Sequence, residues 1–306
     1  MWKRTCLLMV PATLLLLGAA ACGSPAYPSS ASPTGVASAS GSAASAWVTA
    51  TPTPSPSPPT PATSSPGTAT AAAPPTPARA PAPPKGRPLA GIVVVVDPGH
   101  DGGNAAHPQI SQRLVNAVTM MKPCDSTGTQ VGTGYPEHLF TWQLGQILAA
   151  DLKALGATVV LTRHSDTGVG PCMTVRSAIA NAAHADAVLT LHADGAAASG
   201  HGFHVIRPVP VGPNDGMVKA SFALAAAVHD ALISAGVPPS NYTGSAGYTT
   251  RSDLGGLNLS TVPKIFIEFG NMRNPTEAAK LRSTGYKRAL ATALADGVVT
   301  YLGSRK

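Results

Sequence analysis

The stretch "GIVVVVDPGH", residues 91–100, narrows the possible folds more than any other part of the chain. Its β-branched run is too short for a helix and apolar on both faces, so it reads as a central strand covered on both sides. After a long polar loop, Pro136 opens a helical pattern in which Leu139, Phe140, Leu144, Ile147, Leu148 and Leu152 recur three and four apart, with Gly156 as its stop. "TVVLTR" then predicts a second strand, residues 173–183 a helix, and "DAVLTLHAD" a third strand. A strand in "HGFHVIRP", an Ala-rich helix over 215–235, a strand at "KIFIEFGN" and a terminal helix over 275–302 complete the pattern. Strands that alternate with helices predict the α/β class: a single domain with a mostly parallel, twisted β-sheet flanked by helices on both faces.

The part before residue 88 is of another kind. Lys3 and Arg4 precede the apolar run "LLMVPATLLLLGAAA", which predicts a signal peptide over 1–21. The small residues before Cys22 match a bacterial lipoprotein processing site, with Ala19 where Leu is usual; cleavage without lipid is the alternative. No residue from Thr5 to Ala78 is charged, and Ala, Ser, Thr, Pro and Gly dominate after Cys22. Such a segment cannot bury enough apolar surface to offset ordering, so residues 22–87 are expected to form a lipidated, disordered tether. At about 3.1 Å per residue it would reach on the order of 100 Å. The expected location is therefore outside the cytoplasmic membrane, on its outer face and within the cell envelope, with the lipid as the only membrane contact.

All fourteen acidic residues and sixteen of the 21 basic ones lie from Asp97 onward, so the domain over 88–306 carries only +2. That excludes a case for nucleic acid binding, and a monomer is expected. Removal of the signal takes Cys6 with it, and lipidation would occupy Cys22. Cys124 and Cys172 then form an even pair in an oxidising compartment, which predicts a disulfide.

The chain has three glutamates, and one of them, Glu268, interrupts the apolar order of "KIFIEFGN". A buried carboxylate without a partner is costly, so a reason is required. In open α/β sheets functional groups gather at the carboxyl ends of strands. The first strand runs into His100, the third into His192, and Glu268 lies near the end of the late one. Two imidazoles at neighbouring strand ends suit a catalytic zinc, which takes three protein ligands and keeps one open position. Glu137, in the first turn of the helix after the first loop, is the candidate third ligand; a favourable charge at a helix N-terminus is the alternative reading.

These segments resemble a known family. "VVVVDPGHDGG" is similar to the signature of the zinc-dependent N-acetylmuramoyl-L-alanine amidases of the amidase-3 family, and "GYPEHLFTWQLGQIL", "LTLHADG" and "KIFIEFGNMRN" follow in the family's order. The resemblance covers residues 91–302. It implies one Zn2+ held by His100, Glu137 and His192, with Glu268 as catalytic acid/base, and peptidoglycan as the substrate, cut between the lactyl group of N-acetylmuramic acid and L-alanine. Another zinc amidohydrolase of the wall, or a non-catalytic peptidoglycan-binding lipoprotein, is the competing expectation. Asp101 departs from the family, where Gly is common, and the long loop over 104–134 with Cys124 resembles a secreted actinobacterial subgroup. Asp97 is a candidate hydrogen-bond acceptor for a ligand histidine, or a turn-stabilising aspartate. His138 is expected on the exposed surface, since consecutive helix positions cannot easily face one metal; His201 and His204 are read as solvated or packed, with substrate contact as the alternative, and Arg163 and Arg176 as structural, with either able to hold a carboxylate.

Overall fold

The computed structural model describes residues 86–132 and 134–305. The expected signal peptide, Cys22 and nearly all of the tether lie outside the described residues. The elements are β1 (Val93–Pro98), a 3-10 turn (Asn104–Ala106), α1 (Pro108–Ser111), β2 (Leu114–Asn116), β3 (Met121–Pro123), α2 (Glu137–Ala154) and β4 (Thr158–Leu161). Then come α3 (Met173–Ala182), β5 (Ala187–Asp194), β6 (His204–Pro208), α4 (Asp215–Ser234), β7 (Tyr248–Arg251) and α5 (Gly255–Asn258). β8 (Lys264–Asn271), α6 (Pro275–Arg282) and α7 (Thr284–Gly303) complete the domain.

Among the described residues the main sheet has six strands in the order β4-β1-β5-β8-β6-β7, and β2 and β3 form a separate hairpin. β4, β1, β5 and β8 are mutually parallel; β6 runs antiparallel to β8, and β7 parallel to β6. The expected mostly parallel sheet is therefore present, with two reversed strands at one edge. β1 is central, and its valines divide as strand geometry requires. Val94 and Val96 enter the larger core with α2, α4 and α7, while Val95 joins Ala180 and Val188 on the side of α3.

The same alternation resolves the puzzle of β8. Ile265, Ile267 and Phe269 point into the larger core. Lys264, Phe266 and Glu268 point the other way, into a cleft. The strand is thus not uniformly apolar in its setting; one of its faces is a working surface.

Three expectations need correction. The terminal helix is two helices, because Ser283 adopts an extended backbone (ψ 127°) and caps α7 by accepting from the Tyr286 amide. The long loop is partly ordered by the β2-β3 hairpin, held by backbone pairing that its exposed residues do not advertise. Asp97 does not bond a histidine. Its carboxylate accepts from Thr162 Oγ1 (2.6 Å), Thr190 Oγ1 (2.9 Å), Arg176 Nη1 (3.0 Å) and Lys264 Nζ (3.1 Å), all buried. It ties β1, β5, α3 and β8 together on the α3 side of the sheet.

Burial alone would raise the pKa of Asp97, but the Lys264 and Arg176 charges and the Thr162 bond outweigh burial and hold it far below the usual carboxylate range. A folded pKa below the unfolded one means that the charged form stabilises the fold fully above about pH 4 and loses that effect as pH falls further. Asp97→Ala leaves the buried Lys264 without its carboxylate partner and Arg176 with Asp125 alone, and should cost about 3–5 kcal/mol in urea unfolding at neutral pH. The gap from the wild type should narrow as the pH is lowered below about 4.

Candidate metal centre and cleft

The β1 strand ends in a tight loop that three side chains clamp by its carbonyl oxygens. Arg163 Nε donates to Pro98 O (3.1 Å), Thr141 Oγ1 to Gly99 O (2.7 Å), and Arg176 to Pro98 O (2.7 Å) and His100 O (2.9 Å). This holds His100 in the left-handed region at φ 60°, a conformation that non-glycine residues take only under constraint. Gly99 must be glycine, because a Cβ there would overlap the His192 ring. Both arginines thus serve structure, as expected.

Three donors meet beside this loop. Glu137 Oε1 lies 3.1 Å from His100 Nε2 and 2.8 Å from His192 Nδ1, and one ligand atom from each residue falls within 4.8 Å of the others. The same carboxylate accepts from the Ala193 amide (3.1 Å) through Oε1 and the Thr129 amide (2.9 Å) through Oε2. Glu137 is the first residue of α2, so the expected placement at a helix start holds; its carboxylate is turned to the histidines. The His192 ring stacks on Phe266, centroids 4.0 Å apart and planes 11° apart, which fixes its orientation.

His100 has a support that the sequence reading missed. Its Nδ1 faces Ser126 O (3.1 Å) and Asp125 Oδ1 (3.3 Å), so it must donate, which leaves Nε2 as the free ligand atom. Arg176 Nη2 holds Asp125 in turn (3.1 Å). The neighbouring Cys124 is bonded to Cys172, directly before α3, so the predicted disulfide ties the Asp125 segment to the start of that helix. The one available signal was the adjacency of Asp125 to a cysteine.

Charge is balanced within the group. Burial opposes a protonated His100, but Glu137 and Asp125 outweigh it and push its pKa up to about 10. Burial lowers the pKa of His192 despite its bond to Glu137. Burial would raise Glu137, yet His100 and His192 hold it below the usual carboxylate range.

Glu268 faces the same cleft, a space of about 470 Å³. Burial, and then the Glu137 and Asp194 carboxylates, raise its pKa well above the ordinary value. Its Oε2 is buried and has no hydrogen-bond partner. The cleft walls come from the Lys122–Ser126 arm and the Asp253–Gly256 segment, joined where Lys122 Nζ meets Asp253 Oδ2 at 2.7 Å. Other histidines do not enter the group. His138 is half-buried and not on the open surface as expected, because Asp166 holds its Nδ1 at 3.0 Å. His201 is exposed, while His204 is packed beside Glu268 on β6.

The donor set fits a divalent metal. Two imidazole nitrogens and one carboxylate oxygen form the ligand type of a catalytic zinc, and the two histidines reach it from neighbouring strand ends held by hydrogen bonds or stacking.

Residues 94–300 match the Amidase_3 family, described as N-acetylmuramoyl-L-alanine amidase. The N-acetylmuramoyl-L-alanine amidase Rv3717 of Mycobacterium tuberculosis is 42% identical over 217 residues, which cover 71% of this chain and 89% of that protein. The crystal structure of Ami1, the N-acetylmuramyl-L-alanine amidase of Mycobacterium smegmatis, is 38% identical and superposes with a TM-score of 0.67 over 71% of this chain and 99% of its own. The apo form of Ami1 from Mycobacterium abscessus is 39% identical, with a TM-score of 0.66 over 70% of this chain and 100% of its own. The match spans every element from β1 into α7, including the four segments that carry His100, Glu137, His192 and Glu268, so the chain belongs to the Amidase_3 family of N-acetylmuramoyl-L-alanine amidases.

Proposed function

We propose that the protein hydrolyses peptidoglycan at the amide between the lactyl group of N-acetylmuramic acid and the L-alanine of the stem peptide, with one zinc ion held by His100, Glu137 and His192. The observation that carries this reading is the convergence of those three donors within 4.8 Å, in a cleft that Glu268 also faces. Bound there, zinc would supply Lewis acidity, lowering the pKa of water towards about 7 and polarising an amide carbonyl.

The chain's own groups do the rest. Glu268 has its proton affinity raised by burial and by neighbouring carboxylates, which suits a group that takes a proton from water and later returns it to a leaving amine. Its Oε2 is buried and makes no direct hydrogen bond to another protein group. Phe266 keeps His192 in place, and Asp125 with Ser126 O keeps the His100 Nε2 lone pair turned inward. The Lys122–Ser126 arm and the Asp253–Gly256 segment form the walls of the cleft in which the substrate would lie.

The remaining expectations belong to the same proposal: export by the signal peptide over 1–21, lipidation at Cys22 as the sole membrane anchor, a tether over 22–87, and action as a monomer within the envelope. Cys22→Ala should move the protein from the membrane fraction to the soluble one; unchanged fractionation would remove the lipid from the account.

Purified protein incubated with muramyl dipeptide should release a dipeptide with a free L-alanine amine, detected by mass spectrometry. A chelator should abolish the release and added zinc restore it. Glu268→Gln should keep zinc, measured by elemental analysis, while turnover falls about 10²–10⁴-fold; undiminished turnover would refute its role. Alanine at His100, Glu137 or His192 should instead lose zinc. Asp125→Ala should weaken zinc affinity about 10–100-fold, read in competition with a chromogenic chelator.

A further inference from the structure

A row of three side chains crosses the sheet at the level of the acid. The ladder pairs His192 of β5 with Glu268 of β8, and Glu268 with His204 of β6. Residues directly opposed in neighbouring strands point to the same face, with Cβ atoms about 4.5–5.5 Å apart in an antiparallel pair. Phe203 and Val205, on either side of His204, point into the larger core, so His204 is turned to the cleft face with Glu268.

His204 is only 3% exposed. Its ring meets Tyr242 edge-on at 6.0 Å, and the Tyr242 hydroxyl donates to Asp194 Oδ2 at 3.0 Å, which props that side of the imidazole. Its Nδ1 is buried with no hydrogen-bond partner, and so is Glu268 Oε2. A polar atom left unpaired in the interior costs about 1–3 kcal/mol, a cost that an apolar side chain at position 204 would avoid. Here two such atoms, one a potential donor and the other an acceptor, belong to residues that face each other across one rung of the sheet. Burial lowers the His204 pKa, so the ring is neutral near pH 7 and has one N–H to give.

We infer that His204 is a positioning residue for Glu268: its Nδ1–H reaches Glu268 Oε2 through one bridging water and turns the carboxyl towards the reacting amide. The inference rests on the reading of Glu268 as the acid/base. Without the bond the carboxyl would wander between rotamers, because no protein group holds its buried oxygen. With it, the second oxygen is aimed at the reacting groups.

The test is steady-state kinetics of His204→Phe and His204→Gln on muramyl peptide, with zinc content and Tm measured on the same samples. His204→Phe should lower kcat about tenfold to a hundredfold, the rate equivalent of one hydrogen bond to a carboxylate, with KM and zinc content near wild type. His204→Gln, which keeps a donor, should recover most of the loss. Wild-type kcat in His204→Phe, or equal slowing in both variants, overturns the inference. Should His204→Phe not fold, the nitrogen NMR resonance of His204 Nδ1 decides: it should shift between wild type and Glu268→Leu, and an unmoved resonance overturns the pairing. A wild-type protein that leaves the muramyl–alanine amide intact overturns the reading of the site, and this inference with it, whereas wild-type turnover with an unaffected His204→Phe overturns the inference alone.

Discussion

The carboxylate of Glu137 is the point on which the site depends. It accepts from His192 Nδ1, from the Ala193 and Thr129 amides, and faces His100 Nε2, so one side chain joins the end of β5, the β1 loop, the arm before α2 and α2 itself. Each of those segments is positioned by other bonds, but only this carboxylate makes their ends share one centre. A charged acceptor with three donors is also strongly oriented, which is what a ligand group requires.

Support for the centre comes from a second polar layer beneath it. Arg176 bonds Asp97, Asp125 and the carbonyl oxygens of Pro98, His100 and Gly170. Lys264 reaches Asp97 from β8. A buried ion cluster of this kind contributes little net stability compared with apolar packing, yet it is expensive to break and tolerates one arrangement only. Its use here is to hold the strained His100 backbone and to tie the Cys124–Cys172 arm to the sheet. The larger core on the other face, with α2, α4 and α7, supplies the apolar burial that offsets such costs.

The positions of His100, His192 and Glu268 were legible because strand ends in a parallel sheet collect functional groups, and the alternation of strands and helices revealed that sheet. Glu137 was ambiguous from the residues alone, since a carboxylate at a helix start has a sufficient local reason to be there; the family resemblance tipped the balance. Asp97 was misjudged because its partners lie 65 to 167 residues away, and no local pattern announces that two cations will be folded against one carboxylate. The break at Ser283 was passed over although Ser283, Thr284 and Gly285 carry an N-cap signal, because helix-favouring residues lie beyond them on both sides, and the Asp125 contact was hidden by its place in a loop without periodicity.

The amino-acid order by itself settled the main strands and helices, which cysteines would pair and which side chains carried suitable chemistry, because those depend on neighbours a few residues apart or on composition; the short β2-β3 hairpin and β7 escaped it. Tertiary structure alone decided the reversal of β6, and with it the placing of His204 opposite Glu268; it also decided which of two faces each β8 side chain would meet. Register across a sheet is set by the packing of remote strands and helices, and a shift of one residue would have turned Glu268 into the core instead of the cleft.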